Sequence, residues 1–117
     1  SLTRTLNPFP QNTKMTNEQI QASLRSLRKM IHQADEVSRE IRLNIDHAEE
    51  AARLASIYLE KPNGHALDDL LGATDYQAGI ADCWLEAVEK QANDLVIRLG
   101  SLRGTCKAVQ SGIRSRS

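Results

Sequence analysis

Three pairs of acidic side chains stand at helical spacing and are the residues best suited to hold a divalent cation: Glu36 with Glu40, Asp46 with Glu49, and Glu86 with Glu89. Carboxylates three or four positions apart share one face of a helix. Magnesium requires several such oxygens converging on one octahedron. These acids fall mostly on outward positions, so a solvated acidic face is the simpler expectation. His32 and His47 also fall on outer positions, and neither has a glutamate three residues before it. The paired Glu-x-x-His of a di-iron bundle is therefore missing. His65 falls in a turn. No nucleophile stands beside a histidine in a way that would build a Ser–His–Asp or Cys–His arrangement.

The two cysteines, Cys83 and Cys106, fall on different sides of the heptad described below, so no disulfide is expected. Cys106 reads as a small buried hydrophobe on the seam and Cys83 as an outward residue. Nor do cysteine and histidine cluster at zinc spacing. All-α nucleotide-hydrolysing bundles of the MazG type hold Mg²⁺ with a Glu-x-x-Glu followed by a Glu-x-x-Asp. Glu86-Ala87-Val88-Glu89 matches the first element alone, and no Glu-x-x-Asp follows it. Gly100-Ser101-Leu102-Arg103-Gly104 lacks the lysine and the length of a phosphate-binding loop. It reads as a thin place on a helix surface. No catalytic residue, metal ligand or cofactor is assigned. Enzymatic activity is left open, with a non-enzymatic protein the expectation.

The elements that would position these residues are legible in a four-three alternation of apolar or small residues. The first run is Ile20, Leu24, Leu27, Ile31, Ala34, Ser38, Ile41, Ile45, Ala48, Ala52, Ala55 and Leu59. The second is Leu67, Leu71, Thr74, Ala78, Ala81, Leu85, Val88, Ala92, Leu95, Leu99, Leu102, Cys106, Val109 and Ile113. Such a repeat marks long helices packed along a seam. Thr16 and Gln19 stand where a capping box would open the first helix. Lys61-Pro62-Asn63-Gly64 stops it with a proline and two residues that tolerate left-handed geometry.

The expected organisation is an extended or disordered arm over 1–15, a helix over 17–60, a turn over 61–65, a helix over 66–113 and a frayed tail over 114–117. Met15 is a candidate natural start. Glycines at 72 and 79 leave a break in the second helix open. A short turn lays the helices antiparallel. In that geometry Ala48 meets Ala78, Ile41 meets Leu85 and Leu27 meets Leu99.

One flank of this seam is polar and charged, with Gln21, Arg28, Asp35, Arg42 and Glu49 facing Arg103, Val96, Glu89, Asp82 and Asp75; Arg42 with Asp82 is the expected exposed pair. The other flank is apolar, carrying Met30, Val37, Ala51 and Tyr58 opposite Leu70 and Trp84, with Asn44, Gln77 and Gln91 interspersed. An apolar stripe widened on one side faces further helices. Met30, Val37, Ala51, Tyr58, Leu70 and Trp84 are accordingly the expected oligomer interface. The fold class is all-α, an antiparallel two-helix hairpin of long coiled-coil-like helices, paired with a second hairpin into a four-helix bundle.

The chain has 117 residues with 15 basic and 15 acidic residues, and its zero net charge conceals a sorted distribution. Residues 1–33 and 95–117 hold ten bases and one acid, while 34–94 hold five bases and fourteen acids. Opposite poles can orient self-assembly, or the basic end can bind a polyanion. Arg25, Arg28, Lys29, Arg98, Arg103 and Lys107 are the candidate polyanion-binding residues. Aromatic platforms and a recognised nucleic-acid module are missing.

No segment approaches the ~20 apolar residues of a membrane span, and no leader precedes a cleavage site. A cytoplasmic protein without a membrane partner is the expectation. The function expected is a protein-interaction or adaptor module that associates with itself, as a homodimer or higher assembly, and with a protein partner. A small nucleic-acid-binding regulator using the basic end is the first alternative. A Mg-dependent all-α nucleotide phosphohydrolase is the second.

Overall fold

The computed structural model describes residues 15–60 and 67–116. Apart from Met15, the arm expected over 1–15 lies outside the described residues, as does the turn expected over 61–65. Two helices, α1 (Asn17–Glu60) and α2 (Leu67–Arg114), pack as a hairpin, and no strand occurs among the described residues.

Helix α1 opens on a reciprocal cap. The Thr16 backbone N–H donates to Gln19 Oε1 at 2.8 Å, and the Gln19 N–H donates to Thr16 Oγ1 at 3.1 Å. Two otherwise orphaned amides are thereby satisfied. Helix α2 passes through Gly72, Gly79, Gly100, Gly104 and Gly112 without interruption. Each glycine lowers its propensity, yet its remaining residues are mostly good helix formers, and packing along α1 supplies what propensity lacks.

The chain divides into two compact units, Gln33–Leu99 and the pair Ser1–His32 with Gly100–Ser117. In Gln33–Leu99 the core is built on alanine: Ala34, Ala48 and Ala51 are buried, and Ala51 is only 4% exposed. Small side chains let helix backbones approach closely. The Thr74 hydroxyl donates to the Leu70 carbonyl at 2.8 Å and lies 3.4 Å from the Ala55 carbonyl across the seam. That local bond explains how a polar residue sits on an apolar stripe without penalty. In the second unit Leu102 and Val109 are buried, Met15 packs against Gly112, and the Arg116 guanidinium bonds the Asn17 side chain.

The seam differs in phase from the one read from the sequence. Ile31, Ile45, Leu59, Leu71, Leu85, Leu99 and Ile113 were assigned to its interior, and all are among the most exposed large apolar residues. Their places are taken by the stripe assigned to the outer flank. Asn44 and Gln91, both on that flank, bond each other from opposite helices at 2.8 Å. Met30, Val37, Tyr58, Leu70 and Trp84 are half-buried on the same stripe and Ala51 is buried. The row shared by both phases stays inside, running through Leu27, Ala34, Ile41, Ala48 and Ala55 in α1 and Thr74, Ala81, Val88, Leu95, Leu102 and Val109 in α2, and of the other row Leu24 and Ala92 remain half-buried.

The physical cause is bulk. Turning both helices toward their Met30 and Trp84 sides half-buries the bulky side chains of Met30, Tyr58 and Trp84, while alanines on the shared row keep the helices close. The change also overturns the layers Ile41–Leu85, Ala48–Ala78 and Leu27–Leu99, because Leu85, Ala78 and Leu99 face outward. Cys106, expected on the seam, is exposed for the same reason. The charged flank swings farther from the seam, and Arg42 and Asp82 do not pair. Instead, ion pairs such as Asp35–Arg39, Glu86–Lys90 and Asp94–Arg98 run along single helices.

Candidate interaction faces

The rotation leaves a new outward stripe. In Gln33–Leu99, α1 contributes Ser38, Ile45, Ala52 and Leu59, and α2 contributes Leu71, Ala78, Leu85 and Leu99, with Ala92 half-buried on the same row. Both helices are turned the same way about their own axes. Because they run antiparallel, the two rows emerge on one side of the hairpin. Ile45 is 44% exposed and Leu85 51% exposed. In the other unit the same heptad positions are Ile31, Cys106 and Ile113, all exposed.

Large and small residues alternate along this stripe at seven-residue steps. The row in α2 reads Leu71, Ala78, Leu85, Ala92, Leu99, Cys106, Ile113, and the row in α1 reads Ile31, Ser38, Ile45, Ala52, Leu59. Beside Ser38 the surface dips into a hollow of about 180 Å³ lined by Ser38, Ile41, Arg42, Ile45 and Asp46. Alternating relief of this kind accepts knobs from a facing helix.

A second hollow, more open and about 560 Å³, lies along α2 between Asp75, Tyr76, Gly79, Ile80, Cys83 and Trp84. Gly79, which carries no side chain, is among the residues that line it. Trp84 borders this hollow and also stacks on His47 of α1, with ring centroids 4.6 Å apart at 31°. The sequence placed His47 on an outer position without a partner. The missed signal was the flank carrying Trp84: once that flank turns inward, the position just before Ala48 comes within its reach.

The candidate polyanion-binding residues are all exposed. Arg25, Arg28, Lys29, Arg103 and Lys107 belong to one unit; Arg98 belongs to the other and donates to Asp94 at 2.8 Å. The unit holding Ser1–His32 and Gly100–Ser117 carries nine basic residues and one acidic, net +8, while Gln33–Leu99 carries six basic and fourteen acidic, net −8.

The acidic pairs at helical spacing do not gather. Glu86 is held by Lys90 at 3.5 Å, and among the described residues no three of His, Cys, Asp and Glu converge on a point that would hold a metal ion. Glu50, adjacent to one pair, is bonded by Arg53 Nε at 3.0 Å. This hydrogen bond, more than the charge, holds the Glu50 carboxyl below the ordinary glutamate range and raises Arg53. Both groups are fully exposed, so the pair steadies one turn of α1 and no more. No described helix is long and apolar enough to cross a membrane. No protein-family model matches the chain, and no curated protein or solved structure is significantly similar to it.

Proposed function

We propose that this chain is a non-enzymatic helical-bundle protein that acts by self-association and by docking protein partners along the outward stripe. The observation that carries this reading is the set of half-exposed Ile45, Leu59, Leu71, Leu85 and Leu99 at regular spacing in Gln33–Leu99, which the hairpin itself leaves uncovered. Contiguous apolar surface of this extent marks an interaction site. A chain of 117 residues with an alanine seam also gains from covering it. Free, exposed Cys83 and Cys106 fit a reducing cytoplasmic setting.

Sedimentation equilibrium of the wild type and of Leu85→Glu tests the reading. The expected result is a concentration-dependent assembly for the wild type and a helical monomer for the variant. A wild-type chain that stays monomeric from micromolar concentration upward would remove self-association.

The net +8 unit supports a second reading, in which Arg25, Arg28, Lys29, Arg103 and Lys107 bind a nucleic acid. Its test is a gel shift with generic RNA and DNA at low and moderate salt. Absence of binding at low salt, where phosphate contacts are strongest, disposes of it.

A further inference from the structure

We infer that the open hollow along α2 in Gln33–Leu99 is the docking site for a basic amphipathic helix of a protein partner. This site is separate from the outward stripe. Tyr76 and Cys83, five residues after Leu71 and Ala78, lie about 140° round α2 from it. The hollow holds about 560 Å³ between Asp75 and Trp84, with Tyr76, Gly79, Ile80 and Cys83 along it. It follows α2 for about 14 Å at 1.5 Å per residue. Two apolar side chains one turn apart on a facing helix can enter that length together. Room for them is open at Gly79, where an added Cβ would meet nothing within 4 Å. One wall is set in advance, because the Trp84 ring lies 4.6 Å from that of His47. Tyr76 is 67% exposed and gains most from being covered.

Charge names the occupant. Residues 43–90, which surround the hollow on both helices and lie wholly within Gln33–Leu99, hold ten acidic and three basic residues, net −7. Two of the bases are already taken: Arg53 donates to Glu50 at 3.0 Å, and Lys90 lies 3.5 Å from Glu86. The third, Lys61, lies outside the described residues. Asp69, Asp75, Asp82 and Glu89 of α2 and Asp46 and Glu49 of α1 are all exposed. Such a surface attracts a cationic helix and repels nucleic acid and an anionic membrane. A second copy would bring a hollow of the same sign. Its basic unit has the right sign, but its described residues expose one large apolar side chain on each helix, Ile31 and Ile113. Neither helix of that unit therefore offers two such anchors a turn apart.

Trp84 is the chain's one tryptophan, so its emission reports on the hollow directly. The test titrates the full chain with a tryptophan-free synthetic helix of leucine and lysine in amphipathic pattern, and with a leucine–glutamate helix of the same pattern. The lysine helix alone should give a saturable blue shift. Its affinity should fall at least tenfold in Asp75→Lys with Asp82→Lys. It should fall as much in Gly79→Leu, whose side chain fills the hollow while improving helix propensity. Equal binding by wild type and Gly79→Leu would show that charge alone holds the peptide and would overturn the site. The same shift from the glutamate helix, from RNA or from anionic vesicles would overturn the choice of a basic partner. Loss of self-association in Gly79→Leu by sedimentation would assign the hollow to a second copy and overturn the inference. A Trp84 spectrum that no probe changes would also overturn it, while the stripe is judged separately by Leu85→Glu.

Discussion

Asn44 of α1 donates from its side-chain amide to Gln91 Oε1 of α2 at 2.8 Å, joining the two helices midway along the apolar seam. A polar pair at this position gives up some hydrophobic stabilisation and in return fixes which residues lie opposite one another. Sliding α2 by one turn would leave both amides partly buried without each other. Asn44→Ala should therefore lower unfolding free energy by about 1 kcal/mol, measured by urea denaturation. The double change Asn44→Leu with Gln91→Leu should recover or exceed wild-type stability, and a double-mutant cycle should return a coupling energy near the single loss.

The two kinds of apolar residue should respond differently to a charge. Ala51, buried on the seam, has no room or solvent for a carboxylate, so Ala51→Glu should destabilise the hairpin by several kcal/mol. Leu85, outward on the stripe, should tolerate glutamate with unchanged helical circular dichroism. The expected loss there is confined to self-association.

Glycine tests the helix surface. An added Cβ would meet nothing within 4 Å at Gly72, Gly79, Gly100 or Gly104, whereas at Gly112 it would collide with the Met15 side chain. Alanine at any of the first four should raise stability by about 0.5–1 kcal/mol through helix propensity. At Gly112 the gain should be smaller, because Met15 has to move. Thermal melts of the five single variants give the comparison directly.

Trp84 reports on its neighbour. An imidazole ring 4.6 Å from the indole perturbs its emission, so His47→Leu should change Trp84 fluorescence without moving the helical signal. The lost ring contact is worth about 0.5–1.5 kcal/mol. An unchanged spectrum would argue against the stack.

Glu50 should titrate below the ordinary glutamate range because Arg53 hydrogen-bonds its charged form. A carboxylate whose folded-state pKa is depressed contributes stability above its unfolded pKa and loses it as pH falls through the folded value. Carbon-detected NMR of the carboxyl group should show the lowered midpoint, and Arg53→Gln should move it upward. Equal midpoints in the two proteins would show that the bond is not kept in solution.

Local rules carried much of the architecture. The uninterrupted run from Asn17 to Glu60 and the Thr16–Gln19 cap are properties of neighbouring residues, and the pairing of two long helices follows from their shared heptad. Sorting of basic and acidic residues was equally plain from the chain.

The face of each helix that meets the other was not. Three adjacent apolar rows pass through Met30, Ile31 and Ala34, lying within about a third of a turn of each other, and a heptad count accepts either neighbour of the middle row. Only the packed structure weighs them, because the choice depends on how the bulk of Trp84, Tyr58 and Met30 on one side compares with that of Leu85 and Ile45 on the other. That comparison also requires an alanine opposite the right gap and Gln91 opposite Asn44. These are sums over residues tens of positions apart in the chain. The sequence determined two rods and their polarity; tertiary packing decided which edge closed the hairpin and which stayed exposed.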